Sequence, residues 1–174
     1  MKTIFIAGIH GVGKSFMCKK IAIQGIYHAS ASDIIKSELK EENWGKEKNV
    51  KDAINNQTAL IKGLKKIEKK TSNLILDGHF TLISNNEIIE INQSVFDEIK
   101  PKSIILITDD EEKIIEKIKK RDGKEPTYDV SKFLKAEKQA SEEYAKKNGI
   151  DWDEIQSGEI EEMKKLVNHI FYGG

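Results

Sequence analysis

The chain is poor in residues that would otherwise narrow its class. It has a single cysteine, Cys18, in 174 residues. No internal disulfide can form, and a reducing compartment fits. Neither sign of charge is in excess: 29 basic and 29 acidic side chains give a formal net charge of zero. No global field draws the chain to nucleic acid or to an anionic membrane. No apolar run approaches the length that spans a bilayer. The apolar stretch at the N-terminus is too short for a signal peptide and is already used as a strand. These absences predict a cytoplasmic protein with no nucleic-acid or membrane partner. Arginine is nearly missing as well: Arg121 stands alone, and the other 28 basic residues are lysines. A planar, two-pronged grip on a phosphate can come only from Arg121, because lysine acts as a point charge. There is no repeat and no low-complexity segment.

What is present begins at the first residues. Lys2–Ala7 has a β-strand pattern and runs into Gly8-Ile9-His10-Gly11-Val12-Gly13-Lys14-Ser15. That octet fits G-x-x-x-x-G-K-[ST], the phosphate-cradling P-loop. Its glycines let the backbone turn tightly and approach an anion. Successive N–H groups then face phosphate oxygens, and a helix follows. In this motif Lys14 reaches the β- and γ-phosphates and Ser15 offers its hydroxyl to Mg²⁺. The helical pattern after Ser15 runs from Phe16 to Ile23 and stops near Gly25. Strand, loop and helix thus occur in the order the motif requires.

Further strands are expected at Ile26–Ala29, Asn73–Asp77, Ser103–Thr108 and Ile150–Ile155. Helices are expected at Ser32–Glu42, Val50–Lys69, Glu111–Lys120, Val130–Lys147 and Glu159–Phe171. Alternating β and α elements predict an α/β domain, a parallel sheet covered on both faces. Phe80–Ile83 and Glu87–Ile91, around Ser84-Asn85-Asn86, read as a small inserted hairpin before a short helix at Gln93–Ile99. Glu41–Lys51, with Trp44, reads as a mobile connection. One domain spans 1–174. Apolar stripes at helical spacing support the helices. They are Val50, Ile54, Ile61 and Leu64 with Gln57 in line, and Val130, Phe133, Leu134 and Tyr144 with Glu137 in line.

Several polar residues sit where chemistry is expected. Asp77 ends the third strand, where the Mg²⁺-organising acid of a P-loop enzyme belongs and where open parallel sheets bind ligands. His79 follows, as a contact to substrate or water or as an anchor of the hairpin. Asp33 follows the second strand, to orient or deprotonate an acceptor or, with Ser32, to cap a helix. Gln57 reads a substrate edge or is a satisfied buried amide. Lys119-Lys120-Arg121-Asp122-Gly123-Lys124 closes a helix. The helix dipole alone favours that cluster, yet a lid over the P-loop would bring the same positive charge to a transferring phosphoryl group.

Together the P-loop, Asp77-x-His79 and the basic segment at Arg121 resemble P-loop nucleoside monophosphate kinases, especially archaeal-type adenylate kinases and related small AAA-type ATP-binding proteins. The resemblance implies a three-layer P-loop NTPase fold with five parallel strands in order 2-3-1-4-5, the hairpin as an insertion, and a helical lid. It implies an acceptor region near residues 30–70 and a lid near 121–147. It implies ATP and Mg²⁺ as cofactors. The nucleotide would lie on Gly8, His10, Gly11, Val12, Gly13, Lys14, Ser15 and Phe16, with the metal at Ser15 and Asp77. Lys14, Arg121 and Asp33 would be catalytic, and Asp33, Gln57 and His79 would bind substrate. Where those kinases carry Asp-Gly-Phe-Pro-Arg, this chain has Asp77-Gly78-His79-Phe80-Thr81, and its acceptor region has no arginine. The expectation is a Mg-ATP kinase acting on a nucleotide or another small molecule. Two rivals are a kinase of small hydroxylated metabolites, with Asp33 as base, and a nucleotide-gated ATPase switch whose protein partner docks on the hairpin.

Overall fold

In the computed structural model, residues 1–21, 25–41 and 50–173 are described, the side chains of 41 and 50–54 apart. The expected connection at Glu41–Lys51 with Trp44, the end of the first helix near Gly25, and the stripe positions Val50 and Ile54 lie wholly or partly outside that description.

Five strands form one parallel sheet: β1 (Lys2–Ala7), β2 (Tyr27–Ser30), β3 (Asn73–Asp77), β6 (Ser103–Thr108) and β7 (Asp151–Gln156). Their order is β2-β3-β1-β6-β7, which is 2-3-1-4-5 when only the parallel strands are counted. Between β3 and β6 lie β4 (Thr81–Ser84) and β5 (Glu87–Glu90), paired antiparallel. Asn85 and Asn86 both take positive φ in the two-residue turn, as a tight hairpin of this type needs.

Period-two alternation sorts the strand side chains to opposite faces. On one face Ile4, Ile6, Ile75, Ile105 and Ile107 pack under α1 (Lys14–Lys20), α5 (Glu111–Asp122) and α7 (Ile160–Tyr172). On the other, Phe5, Leu74, Leu76, Ile104 and Leu106 pack under α2 (Ala31–Glu41), α3 (Val50–Glu68) and α4 (Gln93–Ile99). The remaining helix, α6 (Val130–Asn148), contributes Val130 and Phe133 to the first core and Tyr144 and Ala145 to the second. Sheet strands buried on both faces read as the continuous apolar runs seen in the sequence.

Within the expected lid region, α6 packs into the domain through Phe133, Glu137, Ser141 and Tyr144, which are all buried. Only the short connection between α5 and α6, 123–129, stays largely exposed from the segment 121–147. The second helix starts at Ala31, directly off β2. Ser32 and Asp33 therefore lie inside its first turn and neither precedes it as a cap. Among the described residues no helix is long and apolar enough to cross a membrane.

Candidate functional site

The carboxyl ends of β1, β3 and β2 place the P-loop, Asp77 and Ser30 side by side, in register through Ile6↔Asp77 and Ser30↔Asp77. The loop shape depends on glycine. Gly13 holds φ +106, and a Cβ there would come within 2.9 Å of Ser157 Oγ. Gly11 holds φ +84, and a Cβ would strike Ile118 of α5 at 2.6 Å. A side chain at either point would disturb the backbone that has to face an anion.

Lys14 is buried and its ammonium is held inside the loop. It donates to Gly8 O, to Ile9 O at 3.2 Å and to His79 Nε2 at 3.1 Å. Burial lowers its pKa from the ordinary 10.5 to about 8, against the opposing charges of Glu137 and Asp77. His79 is its neutral acceptor: burial, then the charges of Lys14 and His10, push its pKa to about 2. The His10 ring lies 4.2 Å from that of His79, and its pKa is lowered by burial and then by Lys14 and Arg121. Two histidines beside a P-loop lysine are thus both biased toward the uncharged form.

An open cleft of about 580 Å³ lies beside this cluster. Ser15, His28, Ser30, Asp33 and Asp77 line it, with Lys19, Lys66 and Lys70. Asp77 is buried, and its Oδ2 lies 2.6 Å from His28 Nε2. The Asp33 side chain is mostly exposed, with Lys36 at 3.9 Å. The hydroxyl of Ser15 and the carboxylate of Asp77 share one cleft and are hard oxygen donors, the set Mg²⁺ takes.

Arg121 ends α5, and its guanidinium is engaged in a two-pronged contact with Asp122, Nε–Oδ1 2.6 Å and Nη2–Oδ2 2.7 Å. The Asp122 hydrogen bond raises its pKa further. Gln57 is not brought to the cleft. Its amide donates to Ser94 Oγ at 3.3 Å, and it lines a separate groove between α3 and α4 with Lys65, Lys69 and Glu98. The Phe16 side chain points outward and is 56% exposed, with Lys20 Nζ 5.6 Å from its ring centre.

Two residues that bear on the site lie outside the set expected from the sequence. Glu137 of α6 is 1% exposed. Its carboxylate accepts from Gly8 N at 3.0 Å, Phe80 N at 2.9 Å, Thr81 N at 2.7 Å and Thr81 Oγ1 at 2.5 Å. It thereby ties the P-loop entrance to the segment carrying His79. Lys117 of α5 donates to Asp109 Oδ2 at 2.6 Å, Ser157 Oγ at 3.2 Å and Val12 O at 3.3 Å. Burial pushes the Asp109 carboxyl up, but the Lys117 and Asp110 N–H hydrogen bonds outweigh it and hold the group below its ordinary range. Glu137 stands out in the sequence only as an acid on an apolar helical stripe.

Comparison with known proteins gives a family and a fold. The family model described as AAA domain matches residues 7–135. No curated protein sequence matches. Among solved structures, the tunicamycin resistance protein of Deinococcus radiodurans is similar at a TM-score of 0.56 and 12% identity, over 96% of this chain and 93% of that one. A sugar kinase from Janibacter sp. is similar at 0.55 and 15% identity, over 97% and 92%. A gluconokinase from Sinorhizobium meliloti is similar at 0.53 and 13% identity, over 95% and 89%. At such identities the likeness establishes a shared P-loop kinase-like fold.

Proposed function

The chain belongs to the AAA domain family, and on that footing we propose that it is a Mg-ATP-dependent phosphotransferase acting on a small molecule. The observation that carries this reading is a convergence at one sheet edge. The P-loop Lys14 and Ser15, the buried Asp77 and the Asp33-bearing cleft all lie there. A kinase needs a second cleft beside its phosphate site for its acceptor.

The residues divide the work as follows. The backbone of Gly8–Ser15 cradles the phosphates of ATP. Lys14 exchanges its contacts with Gly8 O, Ile9 O and His79 for phosphate oxygens, and His79 stays neutral beside it. Ser15 and Asp77 would hold Mg²⁺, which would supply positive charge to the β- and γ-phosphates. Asp33 accepts the hydrogen bond of an acceptor hydroxyl and takes its proton as that oxygen bonds to phosphorus and the bridge to the β-phosphate breaks. Arg121 leaves Asp122 to grip phosphate oxygens. The acceptor region carries no arginine, which favours a hydroxylated small molecule over a nucleoside monophosphate. The activities for which the sugar kinase and the gluconokinase are named point the same way.

A second reading keeps one observation of its own. Leu82 and Ile89 face each other across the β4–β5 hairpin and are 40% and 48% exposed. An ATPase switch could offer that pair to a protein.

Asp77→Asn tests the site directly. Phosphoryl transfer should demand far more Mg²⁺, while metal-free nucleotide binding changes little. An unshifted Mg²⁺ titration would leave Asp77 as a partner of His28 only.

A further inference from the structure

Three side chains from three elements meet below the acceptor cleft. Cys18 comes from α1, His28 from β2 and Asp77 from the end of β3. One donor atom of each lies within 4.8 Å of the other two. Cys18 and Asp77 are buried, and the His28 side chain is 26% exposed. His28 and Asp77 line the cleft; Cys18 does not line it and is buried beside them.

We propose that Cys18, His28 and Asp77 form a site for a thiophilic divalent cation, zinc above all, with its fourth position open to the cleft. The donor chemistry selects the ion. Thiolate and imidazole favour zinc over magnesium, which prefers oxygen donors and keeps its waters. Zinc bonds of about 2.0–2.3 Å place tetrahedral donors about 3.3–3.6 Å apart. Donor atoms now up to 4.8 Å apart would close on the ion, and the His28–Asp77 contact would open from 2.6 Å. The ammonium of Lys14 is directed instead at Gly8 O, Ile9 O and His79. Three protein ligands and one open position is the arrangement of an accessible site, not of a closed structural one. On binding, the Cys18 thiol releases its proton to solvent. On the reading above that Asp77 holds magnesium, the consequence is a brake: zinc takes Asp77 away from magnesium. Zinc therefore inhibits even when magnesium is in large excess.

Cobalt(II) titration of the untagged, full chain without nucleotide or acceptor tests the site independently of any kinase activity. One cobalt per chain should bind. It should show intense visible bands of low coordination number and a near-ultraviolet sulfur-to-cobalt charge-transfer band. Zinc should bleach both, and excess magnesium should not. Cys18 is the only thiol, so the sulfur band identifies its own ligand. Cys18→Ala should lose the band while keeping its thermal transition. His28→Ala should weaken cobalt affinity by at least the roughly tenfold that losing even a ligand's partner costs. If Cys18→Ala does not fold, the wild-type spectrum still decides. Cobalt bound without the sulfur band, or no cobalt bound at micromolar concentration, overturns the proposal.

Discussion

Lys14 joins function to stability. A buried ammonium is costly, and here its pKa falls from 10.5 to about 8. The sign of the pH effect follows. Between those two values the unfolded chain keeps a proton that the folded chain has released. Raising pH through that window therefore stabilises the folded state, by up to about 3 kcal/mol from this group. Lys14→Met removes the titration. Thermal unfolding without nucleotide should show wild type gaining on the variant as pH rises from 8 toward 10.5. A constant difference would mean that the lysine is not burdened by burial. Nucleotide affinity should move oppositely, weakening above about pH 8 as the ammonium deprotonates. The P-loop was legible in the sequence because its chemistry is contiguous. The company Lys14 keeps was not, because His79 is 65 positions away.

The elements matter through what they couple. The apolar stripe of α6 announced a helix, but a stripe does not say what it packs against. Glu137 is the reason α6 bears on the site: its donors lie 129 and about 57 positions away in the chain. No local pattern could have shown that. Both of its oxygens accept N–H donors, so Glu137→Gln must set an amide N–H against one of them. Leaving a buried donor unpaired costs about 1–3 kcal/mol. The variant should melt earlier, and KM for ATP should rise more than kcat falls, because Gly8 loses its anchor. An unchanged KM would confine Glu137 to folding. At the other end of the α5–α6 connection, Arg121 is occupied by Asp122. Arg121→Lys keeps the charge but loses the planar fork. Turnover should fall strongly and apo stability should hold. Normal turnover would return Arg121 to a helix-end role, for which lysine is nearly equivalent.

At the scale of the whole molecule, the fold was legible almost to the residue. Strands buried on both faces alternate Ile4, Ile6, Ile75, Ile105 and Ile107 toward one layer with Phe5, Leu74, Leu76, Ile104 and Leu106 toward the other, and the parallel order follows the alternation of β and α elements. What the sequence hid is contact between distant segments: the His28–Asp77 pair, the Lys117 strut and the departure of Gln57 to a different groove. The cleft between α2, α3 and the P-loop is likewise a product of packing. Its size and lining are the grounds for reading an acceptor there. The direct test feeds labelled Mg-ATP to the full chain with nucleoside monophosphates, nucleosides, and hydroxylated sugars and sugar acids. It follows the γ-phosphoryl group, with Lys14→Ala as a folded control. We expect the label on a small hydroxylated acceptor, and no transfer by Lys14→Ala. Label released only as inorganic phosphate, at a rate no acceptor changes, would contradict the account and make this chain a nucleotide-hydrolysing switch.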